Sequence, residues 1–267
     1  MNRFANILTI LATLMLTTAA TAVIKTERIE YKHGETVLEG VMAYDDSIME
    51  KRPGVLVCHE WWGCNEYAES RAKQLAELGY VAFALDMYGK GKTTTKGDEA
   101  GAWLGKLMQD PKAMRERAGA GLKILAESPR VNATKLAVIG YCMGGTIALE
   151  LARSGLSHTE NLRAVVPFHA SVIAATDAAD NKNIKGSILV CHGQADDFVK
   201  PEQIVAFHKQ MSDAKIDYEF ISFGGAVHAF TNPAADGSFS PSVKHDPKAD
   251  KRSWGAMRSF LSERFAD

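Results

Sequence analysis

The 267-residue chain predicts an α/β fold, a mostly parallel central sheet with helices on both faces. Three observations carry that prediction. Short apolar runs rich in β-branched residues, of the kind buried on both faces of a parallel sheet, alternate with segments of helical spacing. The chemically suggestive residues fall at the C-terminal ends of those runs, where open α/β sheets place their sites. One such end, Gly140-Tyr141-Cys142-Met143-Gly144, has the form of a tight strand-to-helix turn that presents a nucleophile.

The elements follow in order. Residues 25–32 and 36–44 read as two strands about the turn His33-Gly34-Glu35, and 54–58 as the first buried strand. Helical spacing through Ala68, Ala72, Leu75 and Leu78 predicts a helix over 66–78, stopped by Gly79. A second buried strand covers 80–85. Residues 87–100 are rich in Gly, Lys and Thr without periodicity, which predicts a loop or lid. A helix is expected over 110–127, a strand over 135–141 into the Cys142 turn, and a helix over 144–154 out of it. Strands follow at 163–168 and 186–191, then a helix over 201–213 opened by Pro201. Residues 217–223 alternate as a strand, 231–250 are polar and irregular, and 251–264 form a closing helix. With no repeat, low-complexity tract or linker, residues 23–267 are expected to form a single domain.

Composition limits the function classes. With 31 basic and 32 acidic residues and no basic block, nucleic acid is not an expected partner. Residues 1–22 read as a signal peptide, with Arg3, an apolar stretch from Phe4 to Leu16, and Ala20-Thr21-Ala22 as the cleavage site. The mature chain is then secreted or periplasmic, keeps no stable membrane association, and is expected to act as a monomer. The four cysteines, Cys58, Cys64, Cys142 and Cys191, match no zinc spacing, and neither a metal nor a cofactor is expected. Cys58 and Cys191 close apolar runs and read as buried small apolar residues. Cys64 is a candidate partner for Cys58 in a compartment that permits disulfides.

The Cys142 turn places a thiol near a helix N-terminus, whose positive end favours the reactive thiolate. Such a nucleophile needs a base, and the base an orienting carboxylate. Both appear after Cys142 at strand ends: Asp196 in His192-Gly193-Gln194-Ala195-Asp196-Asp197, and His228 in Gly224-Gly225-Ala226-Val227-His228. The order nucleophile, acid, histidine is that of one known class of triad. Asp197 is the rival acid, and His169 and His192, also at strand ends, are the rival bases. The set as a whole favours an enzyme over a non-catalytic binding protein. The absence of C-x-x-C argues against a thiol redox protein.

Five stretches together resemble the dienelactone hydrolase family, a branch of the α/β-hydrolase fold with a cysteine nucleophile. They are His59-Glu60-Trp61-Trp62-Gly63, Leu85-Asp86-Met87-Tyr88-Gly89, Gly140-Tyr141-Cys142-Met143-Gly144-Gly145, His192-Gly193-Gln194-Ala195-Asp196 and His228-Ala229-Phe230. The resemblance implies an α/β-hydrolase fold and hydrolysis of a small-molecule ester or lactone through an acyl-thioester on Cys142. It implies that Glu60 partners the resting thiol and that the backbone N–H groups of Trp61 and Met143 form an oxyanion hole. Trp61, Trp62 and Tyr88 would line the substrate site. Where the family's lactone-opening enzymes clamp a substrate carboxylate with two arginines, this chain has Lys90, with Lys92 as the alternative, and Asn232, which keep one charge and neither planar fork. The fold and chemistry implied thus carry over better than the substrate. A carboxylesterase-like hydrolase without lactone preference is the alternative.

Overall fold

The computed structural model describes residues 23–266. The expected signal peptide, residues 1–22, lies outside them. Eight strands form one sheet in the order β1-β2-β4-β3-β5-β6-β7-β8. The first two, β1 (Ile24–His33) and β2 (Thr36–Asp45), form an antiparallel hairpin about Gly34, whose φ of 55° suits a two-residue turn. From β4 (Val81–Leu85) onward the pairs through β3 (Arg52–Cys58), β5 (Val131–Tyr141), β6 (Leu162–Phe168), β7 (Ser187–Gly193) and β8 (Tyr218–Phe223) are all parallel. The β1–β2 hairpin joins them antiparallel, through β2 and β4.

The period-2 alternation of each strand divides the core. Leu56, Phe83, Val138 and Ile188 face one apolar layer, covered by α3 (Pro111–Ala126), α4 (Met143–Arg153) and α5 (Pro201–Asp213). Their neighbours Val57, Ala84, Ile139 and Leu189 face the other, covered by α1 (Glu66–Glu77) and α6 (Pro247–Ala266). This is the architecture of the α/β-hydrolase fold. Cys58 and Cys191 lie fully buried on opposite sides of the sheet. All four cysteines are free, and the Cys64 S–H donates to the Ala84 carbonyl at 3.5 Å, so Cys64 does not bridge to Cys58.

Three elements differ from expectation, and one of them is β5, which starts at Val131 rather than 135. Residues 97–108, partly assigned above to a loop or lid, form helix α2 (Gly97–Met108). Glycine at 97, 101 and 105 lowers helix propensity and dilutes the apolar period, which hides the helix from the sequence pattern. The closing helix starts at Pro247 rather than 251, because the Asp246 carboxylate accepts from the N–H groups of Lys248 and Ala249 at 2.9 and 3.0 Å. Asp-Pro is a capping residue followed by a proline suited to the first helical position. Among the described residues no helix is long and apolar enough to cross a membrane.

Candidate active site

Strand β5 ends at Tyr141 and α4 begins at Met143, so Cys142 alone makes the turn. It does so at φ 55° and ψ −119°, a strained conformation for a residue with a side chain. A Cβ on Gly140 would overlap the Gly144 carbonyl, and one on Gly144 would overlap the Cys58 carbonyl, which is why both positions are glycine. The strain is held by the Cys142 N–H, which is shared between the Phe168 carbonyl and His169 Nδ1, each at 3.0 Å.

His228 follows β8 and is pinned by backbone: its N–H donates to Ser242 O at 3.1 Å, and its carbonyl accepts from Lys244 at 3.0 Å. Its Nδ1 meets Asp196 Oδ2 at 2.8 Å, and both side chains are buried. Burial opposes the imidazolium. The Cys142 thiolate facing it and the Asp196 carboxylate outweigh burial, and the His228 pKa is pushed up to about 10. Asp197, the rival acid, is exposed and accepts from Ser242 Oγ at 3.0 Å.

The rival histidines are committed elsewhere. His192 packs on Phe220 at 5.5 Å between ring centroids, and burial lowers its pKa. His169 is fully buried, with φ 38°. Burial, reinforced by the neighbouring His228 charge, holds its pKa well below the usual imidazole range. Its Nδ1 accepts from Cys142, so the proton sits on Nε2, 2.7 Å from Thr231 Oγ1. Thr231 Oγ1 continues to Tyr67 OH at 2.7 Å, and the Arg71 guanidinium donates to that phenol at 3.3 Å. His169 thus ties the nucleophile's amide to the loop that carries the base.

The loop after β3 supplies Glu60, Trp61 and Trp62. His59 anchors it: Nε2 accepts the Met87 N–H at 3.1 Å and the other ring nitrogen bonds the Glu60 carbonyl. Neither the Trp61 N–H nor the Met143 N–H donates a hydrogen bond within the described residues, and Met143 opens a helix whose first N–H groups have no intrahelical acceptor. Tyr88 is buried beneath this corner, its OH 3.1 Å from Met143 Sδ and its ring against His59 and Trp103.

Three expected roles meet different surroundings. Glu60 is not bonded to the thiol; its Oε2 accepts from Asn232 Nδ2 at 2.6 Å. The Ser171 Oγ lies 3.9 Å from the Cys142 sulfur. Asn232, expected to touch substrate, spends its amide N–H on Glu60 because a short neutral side chain there reaches the buried carboxylate. Lys90, also expected to touch substrate, forms ion pairs with Glu30 and Glu39 instead. Its N–H bonds the Val37 carbonyl at 2.9 Å, which turns residue 90 toward the β1–β2 hairpin.

Burial pushes the Glu60 pKa up to about 7, against the Asn232 hydrogen bond and the positive charges of His228 and Arg71. A folded-state pKa raised above the ordinary value contributes stability that is present below about 4.5 and lost as pH rises through about 7. Glu60→Gln keeps an acceptor for Asn232 and cannot ionise. Its stability relative to wild type should therefore grow between those pH values, by roughly 2–3 kcal/mol. Thermal unfolding of both proteins from pH 4.5 to pH 8 measures this, and a flat difference would refute it.

The mouth of the site carries side chains that the motifs did not single out. Of the large apolar side chains exposed among the described residues, Val172, Phe198 and Phe239 lie on segments that also carry Ser171, Asp196 or His228. Phe239 meets the Trp61 and Trp62 rings edge-on at 5.5 and 6.2 Å, and the two indoles meet each other at 4.6 Å. Helix α2 closes on the same cluster: a Cβ on Gly97 would come within 2.8 Å of Phe239. A lone phenylalanine within the polar stretch 231–250 was the legible signal for Phe239. Phe198 was signalled by its place two residues after the acid. No group of three or more His, Cys, Asp or Glu among the described residues could hold a metal ion.

Comparison with known proteins bears on the family and the fold. The family model described as "Dienelactone hydrolase family" matches residues 38–265. The solved structure named m3DLH is 39% identical, covers 91% of this chain with 99% of its own, and superposes with a TM-score of 0.86. The dienelactone hydrolase-like promiscuous phosphotriesterase P91, from metagenomic libraries, is 36% identical with the same coverage and a TM-score of 0.86. Protein usf of Aquifex pyrophilus is 30% identical over 220 residues, 79% of this chain and 88% of that protein.

Proposed function

The chain belongs to the dienelactone hydrolase family and is a hydrolase of ester or lactone bonds, and from that premise we propose that it works by covalent catalysis through Cys142, His228 and Asp196. The observation that carries this reading is the line from Asp196 Oδ2 to His228 Nδ1 at 2.8 Å, beside the strained turn that presents Cys142. The thiolate attacks the substrate carbonyl carbon and forms a C–S bond. The carbonyl oxygen becomes an oxyanion and takes hydrogen bonds from the free Trp61 and Met143 N–H groups; losing one such donor typically costs about 10²–10³ in rate. The tetrahedral intermediate collapses as His228 gives its proton to the departing alkoxide, leaving an acyl-thioester. Neutral His228 then takes a proton from water, which attacks the thioester. Collapse of the second intermediate returns the thiolate and releases the carboxylic acid. Asp196 holds the imidazole in orientation throughout.

The substrate class follows from the charges around the site. Lys90 is bound to Glu30 and Glu39, Asn232 is neutral, and Arg71 is engaged by Asp250 and the Thr231 carbonyl. Among the described residues, none of Lys90, Asn232 and Arg71 offers an unpaired charge to clamp a substrate carboxylate, whereas Trp61, Trp62 and Phe239 offer apolar surface. A neutral ester or lactone with an apolar acyl group therefore fits better than dienelactone, whose carboxylate would lose its water without gaining a partner.

One experiment tests both parts. The intact protein is incubated with neutral esters and lactones, dienelactone, and a neutral phosphotriester (included because P91 is named for that activity), and its mass and kcat/KM are followed. An acyl adduct on Cys142 and a preference for the neutral carboxylic substrates are expected. An adduct on any other residue defeats the assignment of the nucleophile, and a preference for dienelactone defeats the substrate class.

A further inference from the structure

We infer that Phe198 forms a leaving-group subsite that selects esters and lactones whose departing oxygen carries a planar, conjugated group, aryl esters above all. The inference deepens the covalent reading and rests on its assignment of His228 as the proton donor to the leaving group.

The Asp196 carboxylate does two things at once. Its Oδ2 meets the imidazole at 2.8 Å, and its Oδ1 accepts the Phe198 N–H at 2.9 Å. The acid that orients the base therefore also fixes the backbone of Phe198. That places the Phe198 ring on the imidazole at 4.6 Å between centroids, tilted by 42°. Among the described residues, two rings meet His228 in this way. His169 is fully buried behind it, whereas Phe198 is 48% exposed. A large apolar side chain that is held in place yet open to solvent is a contact surface for a ligand.

The chemistry decides which part of the substrate meets it. In the proposed mechanism the carbonyl oxygen points to the Trp61 and Met143 N–H groups, and the apolar cluster of Trp61, Trp62 and Phe239 is assigned to the acyl chain. The leaving oxygen must come within hydrogen-bond reach of His228 to take its proton. Whatever that oxygen carries then lies along the imidazole, where the exposed ring is Phe198. An aryl group there stacks on Phe198 and keeps its oxygen in line with the proton. A flexible alkyl group gains less contact and must be ordered on binding.

The test compares phenyl acetate with the acetate of a fluorinated alkyl alcohol of matched acidity, so that leaving-group ability cancels in the ratio of their kcat/KM values. Wild type should favour the phenyl ester. Phe198→Ala should lower that ratio about tenfold, and Phe198→Tyr, which keeps the ring, should restore it. Phe198→Leu serves if the alanine variant does not fold. A second readout needs no turnover: phenol should protect Cys142 from alkylation better than cyclohexanol does, and Phe198→Ala should erase that difference. A ratio unmoved by Phe198→Ala, including equal losses on both esters, overturns the subsite, as does equal protection by the two alcohols in wild type. Hydrolysis that persists in Cys142→Ala overturns the covalent reading separately, whatever the ratio does.

Discussion

Cys142→Ala is expected to lose on the order of 10⁴–10⁶ in kcat on any ester the wild type hydrolyses, with the fold intact. The turn at Cys142 is held by its own amide, through Phe168 and His169, and by the glycines on either side, none of which depends on the sulfur. Alanine carries no group that can form the acyl bond. The size of the loss follows from the mechanism: removing the nucleophile leaves only the oxyanion donors and substrate binding, which retain a small part of the acceleration. Turnover measured beside near-UV circular dichroism separates lost chemistry from lost structure. A folded alanine variant that still turns over at the wild-type rate would sink the nucleophile assignment.

Much of this was legible along the chain because the informative residues sit where local rules act. Gly140, Cys142 and Gly144 lie within five positions, and the steric demand of the turn is written in those identities. Asp196 and His228 each end a loop entered from a parallel strand, so their convergence followed from the topology of the sheet. The choice of Asp196 over Asp197 depended on which neighbour turns inward, a fact of tertiary burial that spacing does not contain.

The misplaced expectations have physical causes of the same kind. Asn232 and Glu60 are 172 positions apart, and their pairing arises only when the loop after β8 folds over the loop after β3. Lys90 looked available because its charge is visible in the sequence, whereas the acids that claim it, Glu30 and Glu39, belong to a distant hairpin. Helix α2 is held by what it covers, the Trp61 and Phe239 surface, more than by its own glycine-diluted pattern. Tertiary contacts of this sort routinely override propensity.

His228→Ala should come close to the Cys142→Ala loss, and the double variant should be little worse than either, because nucleophile and base act as one unit. In the proposed mechanism the His228 imidazolium, whose pKa is pushed up to about 10, also stabilises the negative sulfur that attacks. Alkylation of Cys142 at neutral pH should therefore slow markedly in His228→Ala, a readout that needs no substrate. Asp196→Asn should be milder, about 10⁴-fold in kcat at most, since an amide can still contact Nδ1 but no longer stabilises the imidazolium. Asp197→Asn should stay within about twofold, because its carboxylate is exposed and bonded to Ser242 rather than to the imidazole, and surface changes of that kind are small. The comparison is sharp because the two acids are adjacent and the substitutions identical. If Asp197→Asn cost more than Asp196→Asn, the hydrogen bond at 2.8 Å would not be the one that serves catalysis, and the orientation of His228 would have to come from elsewhere.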